Sequence, residues 1–224
     1  MQRKCYAIIV AGGSGSRMGG ETAKQFLMLG DKPILLHTIE AFLALSFPVE
    51  IVLVVPASLR EYWKEFYKDQ KLSFRHTLVS GGITRFHSVK NALKYIPEGA
   101  LVAVHDGVRP FVRPDFLEYM YNEGQEKMAV IPVVKVVDSL RFADETGSRP
   151  VDRENLVGIQ TPQVFHSELL LDAYNQAYCP KFTDDASVVE SRGIKIWLAE
   201  GRMLNIKITR PEDLTLARAI LISF

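Results

Sequence analysis

The sequence predicts an α/β fold, doubly wound in the Rossmann-like manner around a mostly parallel sheet, with a β-arm protruding from it. Three observations carry that expectation. Short, continuous runs of apolar and β-branched residues are spaced along the chain, and strands covered on both faces read this way rather than as strict alternation. Helical stripes separate the runs, so the order is β-α-β-α-β, which right-handed crossovers convert into helices on both faces of one sheet. The chain has 224 residues, 47% hydrophobic and 24% charged, enough for one core without disulfide or metal staples. We read a single domain over 1–224, with the arm at about 136–156.

The elements follow in order. Arg3 and Lys4 precede the run Cys5 to Ala11, which imitates a short signal peptide. That run is at the lower limit of length and has no small-residue cleavage pattern after it, so Tyr6 to Val10 is read as a buried first strand and the protein as cytoplasmic. Leu35, Ile39, Phe42 and Leu43 share one helical face, with Pro33 near its start. Ile51 to Val55 is the second central strand. Ser58-x-x-Glu61 reads as a capping box before the stripe Leu59, Tyr62, Trp63 and Phe66. Phe74 to Val79 is a weaker strand, and Val89, Ala92, Leu93 and Ile96 form another helical stripe. Leu101 to Val104 and Ala129 to Val134 are central strands, and Ile194 to Leu198 is a weaker one. Thr209-Arg210-Pro211-Glu212 opens a last helix with a capping box and an early proline. Between them, Asp138 to Glu154 is polar and charged, with Thr146-Gly147-Ser148 as a turn at its middle and Val136, Leu140 and Phe142 alongside, the pattern of a hairpin.

Composition excludes several function classes. Lys plus Arg number 27 against 26 for Asp plus Glu, a net charge of +1, so no nucleic-acid surface is expected. A small phosphorylated ligand needs only a few clustered cations and stays open. Cys5 and Cys179 cannot build a disulfide framework or a zinc site. No apolar run approaches the ~20 residues of a membrane span. The five histidines, 37, 76, 87, 105 and 166, have no metal-ligand spacing, and no nucleophile elbow is present.

The chemistry concentrates at strand ends, where open α/β sheets bind ligands. After the first strand comes Ala11-Gly12-Gly13-Ser14-Gly15-Ser16-Arg17-Met18-Gly19-Gly20, with Lys24 beyond. Five glycines within nine residues let backbone N–H groups approach a phosphate. The spacing fits neither the P-loop, which needs Gly-Lys-Ser/Thr, nor the dinucleotide fingerprint, whose sixth position is occupied by Met18. A glycine loop with two cations, Arg17 and Lys24, remains. Ser80-Gly81-Gly82, with Arg85 and Ser88 at the next helix start, suits an anion or a polar base edge. His105-Asp106-Gly107-Val108-Arg109-Pro110 follows another strand. Asp106 there is placed to hold Mg²⁺ on phosphate oxygens, or more plainly to cap a turn and pair with Arg109. Further on lie Asp152-Arg153, Gln160-Thr161-Pro162-Gln163, Thr183-Asp184-Asp185-Ala186-Ser187 and Asn205-Ile206-Lys207-Ile208-Thr209. Each also has an ordinary structural reading as turn, cap or snorkelling lysine.

Taken in this order, the motifs closely resemble the 2-C-methyl-D-erythritol 4-phosphate cytidylyltransferase family of nucleotidyltransferases, over essentially the whole chain. The carrying residues are the glycine loop with Arg17, Lys24-Gln25-Phe26, Gly81-Gly82 with Arg85 and Ser88, His105-Asp106-x-x-Arg109-Pro110, Thr161-Pro162-Gln163, the Thr183 block and the Asn205 block. Ribitol-5-phosphate cytidylyltransferases share the glycine loop, the His105-Asp106-x-x-Arg109-Pro110 block and Thr161-Pro162-Gln163, and Val151 to Leu156 and Thr183 to Ser187 favour the methylerythritol enzymes. A non-catalytic CTP-binding module is the reading from another class, and retention of Lys24, Asp106 and Lys207 argues against it.

The resemblance implies transfer of a cytidylyl group from CTP to methylerythritol phosphate in non-mevalonate isoprenoid biosynthesis, with Mg²⁺. By matching positions it assigns the nucleotide to Ala11, Gly12, Gly13, Gly15, Arg17, Lys24, Gly81, Gly82, Ser88, Asp106 and Gly107. Arg17, Lys24, Lys207 and Asp106 become the catalytic set, Asp106 the metal ligand, and Arg109, Ser139, Arg153, Thr161 and Thr183 the acceptor contacts. It also implies a homodimer with exchanged arms, so that Ser139 and Arg153 serve the neighbouring site. Ile83 and Ser139 depart from the family pattern, which often has Asp and Thr there.

Overall fold

The computed structural model describes residues 3–12 and 23–223. The first apolar run forms β1 (Lys4–Val10), and a short β2 (Met28–Leu29)–β3 (Lys32–Pro33) ribbon leads into α1 (Ile34–Leu43). Then come β4 (Val49–Val55), α2 (Arg60–Asp69), β5 (His76–Ser80), α3 (Arg85–Leu93), β6 (Ala100–Asp106), α4 (Pro114–Lys127) and β7 (Ala129–Lys135). The hairpin β8 (Leu140–Asp144)–β9 (Gly147–Val151) follows, then β10 (Val157–Ile159), β11 (Gln163–His166), α5 (Ser167–Tyr174), α6 (Asp185–Glu190), β12 (Trp197–Glu200) and α7 (Pro211–Ser223).

β1 is central because it is apolar enough to be covered on both faces. It pairs in parallel with β4 and β6, and β4 pairs in parallel with β5. Alternate residues point to opposite faces. Ala7 and Ile9 therefore join Leu35, Phe42, Trp63 and Phe116 on one side, while Ile8 joins Val52, Val89, Phe165 and Leu170 on the other. A third cluster, Leu29, Ile34, Val108, Ile208, Ala217 and Ile220, pins α7 and the segment before it against the loop after β6.

Two antiparallel insertions make the sheet mixed. β11 enters between β6 and β7, antiparallel to both, and β10 runs antiparallel along the far half of β7. Gly158 faces Val134 and Val164 faces Val130, so six steps along one strand match only four along the other. The two extra residues form a bulge at Gln160-Thr161-Pro162, and this bulge sits beside the end of β6. The β8–β9 hairpin projects from the sheet with Phe142 and Val137 exposed, and Arg149 lies 4.9 Å over the Phe142 ring.

Several local expectations are corrected. Ser58 caps nothing: Ala57–Leu59 is a 3-10 turn, and α2 starts at Arg60 without a side-chain cap. The boxes form elsewhere. Thr84 accepts from the His87 N–H at the start of α3, and Asp184 and Ser187 make a reciprocal capping box on α6. At α7 the reaching acid is Asp213, not Glu212; its Oδ2 accepts from the N–H groups of Thr209 and Arg210. β5 begins two residues after Phe74, because Phe74 instead packs on Tyr67 and His76. β12 is displaced to Trp197–Glu200. The arm turns at Glu145-Thr146, with Gly147 and Ser148 already in β9, because Asp144 takes the Thr146 N–H and hydroxyl.

Candidate active site

The carboxyl edge of the sheet assembles the glycine motifs. Backbone bonds continue past the strand ends, from Ala11 N to Val54 O (2.8 Å), Gly81 N to Val55 O (2.8 Å) and Gly107 N to Val10 O (2.9 Å). Ala11-Gly12, Gly81-Gly82 and Asp106-Gly107 are thereby set side by side. A Cβ on Gly82 would fall 2.4 Å from Cβ of His87 and 3.0 Å from its backbone, so only glycine lets this turn fold onto α3. A Cβ on Gly107 would sit 3.0 Å from both Ala11 and Leu35. Gln25 is buried and its Nε2 donates to Ala11 O at 2.9 Å, fixing the chain on both sides of the glycine loop. Ser88 is buried too. Its hydroxyl donates to Thr84 O (2.9 Å) and accepts from Gly82 N (3.1 Å), so it shapes the Gly81-Gly82 turn.

Asp106 is the electrostatic centre. Its Oδ1 accepts from Arg85 Nη1 at 2.7 Å, and its Oδ2 lies 3.1 Å from both Arg109 Nε and Lys207 Nζ. Burial opposes its charge, but Arg85, Lys207 and Arg109 outweigh that and hold the carboxyl well below the usual carboxylate range. Arg85 extends the cluster: Nη2 donates to Asp185 at 2.7 Å, and Asp185, fully buried, also accepts from the Tyr174 hydroxyl at 2.6 Å. His105 is buried against Phe42 and hydrogen-bonded to Thr161 Oγ1 at 3.0 Å, and burial lowers its pKa to about 3.

Two cavities meet at this cluster. The first, about 520 Å³, is bordered by Ala11, Gly12, Lys24, Gly82, Ile83, Ser88 and Val108. The second, about 240 Å³, is bordered by Arg109, Gln160, Thr161, Gln163, Thr183 and Asp184. Arg85, Asp106 and Lys207 line both. The bulge forms the floor of the second cavity: Thr161 Oγ1 accepts from Asp106 N (3.1 Å), and Gln160 Nε2 donates to Arg202 O (2.9 Å). Asn205 Nδ2 donates to Thr161 O (2.8 Å) and Arg109 Nη1 donates to Asn205 O (2.7 Å), which holds the Lys207 segment against that floor. A groove of about 550 Å³ between α3 and α5 has mixed charges and none of these motifs.

Most residues singled out from sequence therefore converge. Ala11, Gly12, Lys24, Gly82, Ser88, Asp106 and Lys207 border the first cavity, with Gly81 and Gly107 in its supporting turns. Arg109, Thr161 and Thr183 border the second. Ser139 and Arg153 reach neither cavity of their own chain; both are exposed on the arm, where Arg153 Nη1 donates to Val137 O. Gly13, Gly15 and Arg17 lie outside the described residues. Arg85, Gln25, Gln163 and Asp185 were parts of motifs without a role. Their signal was faint: each is a polar side chain directly beside an apolar one, at a helix start, in a short turn or in β11, and burial turns it into an obligatory hydrogen-bond partner.

Asp106 is the carboxylate shared by the two cavities, and among the described residues no group of three or more His, Cys, Asp or Glu gathers. A lone carboxylate fits Mg²⁺ that takes its other ligands from phosphate oxygens and water, and does not fit a resident cage made by protein alone. No helix among the described residues is long and apolar enough to cross a membrane.

Comparison with known proteins places the chain in a family. The profile of a family described as 2-C-methyl-D-erythritol 4-phosphate cytidylyltransferase matches residues 5–223. A relative of that name from Phocaeicola vulgatus is 49% identical over 216 residues, 96% of this chain and 99% of that one. Another, from Bacteroides thetaiotaomicron, is 49% identical over 218 residues, 97% and 100% of the two chains. The crystal structure of a 4-diphosphocytidyl-2C-methyl-D-erythritol synthase from Anaerococcus prevotii superposes with a TM-score of 0.83 at 29% identity, covering 98% of this chain and 96% of that one.

Proposed function

The chain belongs to the 2-C-methyl-D-erythritol 4-phosphate cytidylyltransferase family, and on that premise we propose how its site transfers the cytidylyl group of CTP to 2-C-methyl-D-erythritol 4-phosphate with release of pyrophosphate. The supporting observation is the pair of cavities that share Arg85, Asp106 and Lys207. Two polyanions must meet at one phosphorus, and the shared wall is where their phosphates would face each other.

The nucleophile is a phosphate oxygen already ionised at neutral pH, so no general base is needed, in keeping with a buried neutral His105. What must be overcome is repulsion between anions and the growth of charge at the α-phosphorus, which fixed cations relieve. In this reading the glycine loop, Gly12, Gly13 and Gly15 included, cradles the triphosphate. Arg17 holds its outer phosphates, and Lys24 and Lys207 flank the α-phosphate. Gly81, Gly82 and the Ser88-supported turn read the cytosine edge through backbone groups. Arg109, Thr161 and Thr183 take the polyol phosphate. Asp106 would hold Mg²⁺ with the phosphates; when bound, the ion neutralises phosphate charge and supports departure of pyrophosphate.

The arm completes the site in trans. Phe142 and Val137 are exposed on one chain, and Ser139 and Arg153 are exposed and border neither of its own cavities. In a homodimer with exchanged arms these residues would serve the partner's acceptor cavity. A net charge of +1 fits small phosphorylated ligands in the cytoplasm, with no nucleic acid and no membrane.

The test is pyrophosphate release from CTP with each polyol phosphate. Release with methylerythritol phosphate is expected. Release with ribitol 5-phosphate alone overturns the choice of acceptor, and CTP binding without turnover of either acceptor overturns the enzymatic reading.

A further inference from the structure

One side chain on the shared wall has no task in the mechanism above. Arg85 is the first residue of α3, immediately after the Gly81-Gly82 turn and its cap Thr84. Its guanidinium spans two buried carboxylates, Asp106 on one side and Asp185 on the other, each at 2.7 Å. The two acids belong to different parts of the site. Asp106 ends β6 and faces both cavities. Asp185 is the first residue of α6, and of the two cavities the Thr183-Asp184 pair before it borders the acceptor one. Gln163 anchors the same turn, donating to Asp184 Oδ2 at 2.7 Å and accepting from Ala186 N at 2.9 Å. Three elements, α3, β6 and α6, are thus referenced to one planar group. A guanidinium presents its donors in a rigid fork, whereas an ammonium is a point donor that cannot hold two carboxylates in one plane.

We infer that Arg85 is a positioning residue that fixes the alignment of the nucleotide cavity with the acceptor cavity by holding Asp106 and Asp185 on opposite ends of its guanidinium. The inference rests on the cytidylyl-transfer reading. In-line attack requires the reacting atoms about 3–3.5 Å apart, and a misplacement of about 1 Å costs on the order of 10²-fold in rate. Each ligand alone needs only its own cavity, so Arg85 matters most when both are filled.

The experiment compares wild type, Arg85→Lys and the double variant Arg85→Met/Asp185→Asn. It measures kcat for pyrophosphate release, the dissociation constants of CTP and of methylerythritol phosphate separately, and thermal stability. For Arg85→Lys, kcat falls on the order of 10²-fold while each separate dissociation constant moves by less than about threefold. The double variant removes Arg85 together with the charge of fully buried Asp185, while Asp106 keeps Arg109 and Lys207, so the cost to folding stays small. Its stability returns towards wild type while kcat stays low. Arg85→Lys turning over within about threefold of wild type overturns the inference, because a point charge then suffices. Recovery of kcat together with stability in the double variant also overturns it, since Arg85 would then serve only to neutralise Asp185. Wild-type protein that releases no pyrophosphate overturns the cytidylyl-transfer reading itself, and the inference with it.

Discussion

Lys207→Met separates catalysis from folding more cleanly than any other single change at the site. The substitution keeps the apolar stem between Ile206 and Ile208 and removes only the ammonium. The Lys207 side chain is 42% exposed and its Nζ lies 3.1 Å from Asp106 Oδ2. Its partner Asp106 is buried, but solvent screens the half-exposed ammonium, so the pair is worth about 1 kcal/mol. Asp106 also keeps Arg85 and Arg109. For a domain of this size, about 1 kcal/mol corresponds to a melting shift of about 2–4 °C, which is the ceiling expected here. Catalysis should respond on a different scale. Removing one preorganised group aimed at developing charge costs about 10²–10³ in kcat, about 2.7–4 kcal/mol. The assay is steady-state pyrophosphate release at saturating CTP and acceptor, beside a thermal melt of the same preparation. A kcat within about threefold of wild type would refute the placement of Lys207 at the α-phosphate. A melt lowered far beyond that ceiling would show that the Lys207–Asp106 pair is structural after all.

Further outcomes are expected. Arg153→Ala should raise KM for the polyol phosphate by about tenfold or more with little effect on KM for CTP, and mixing it with Lys24→Ala should restore turnover through mixed dimers; no recovery despite confirmed subunit exchange would count against a shared site. Gly82→Ala should weaken CTP binding by about tenfold or more in calorimetry, because the new Cβ meets the His87 backbone and must displace the start of α3. His76 should make the fold acid-sensitive. Its Nε2 accepts from the Trp63 indole N–H at 2.9 Å, and burial lowers its pKa below 6.5 in the folded state. The unfolded chain then binds the extra proton, so this stabilisation is complete above about pH 6.5 and is lost as the pH falls, by at most about 1.4 kcal/mol per unit. Melts from pH 7 to 5 should show a shallower acid slope for His76→Gln; parallel slopes would dismiss the histidine as the cause. Chelating divalent cations should stop pyrophosphate release, and undiminished turnover in excess chelator would remove the metal from the mechanism.

The central strands were legible because a strand covered on both faces must be apolar along its middle, and β1, β4, β6 and β7 are, with polar residues only towards their ends. β11 was not legible. Its ends, Gln163 and His166, are polar yet buried, and they are satisfied by Asp184, Ala186 and the Gly124 carbonyl from distant segments. A strand stabilised by such partners has no periodic signature of its own. The bulge before it is equally hidden, since only the pairing on β7 reveals the two extra residues. At the site, glycines and charged residues at strand ends announced themselves by type and place. The division into two cavities did not, because it depends on which carboxylate Arg85 can reach from the start of α3, a matter of tertiary distance. Ser88 illustrates the same limit: the sequence points to a base contact, whereas its hydroxyl is already engaged in bracing the turn that would make that contact.

The bulge at Gln160-Thr161-Pro162 has a consequence for how such a protein tolerates change. β11 is clamped on both sides, by β6 and by β7, whereas β10 is bonded to β7 alone. The Gln160 and Asn205 side chains tie down the junction between them. The arm between Lys135 and Val157 is therefore joined to the catalytic floor at a fixed seam. The stretch between Ser139 and Arg153 can vary in length and sequence while Thr161 keeps its hold on Asp106, so the tip of the arm can diversify without disturbing the catalytic floor of its own chain.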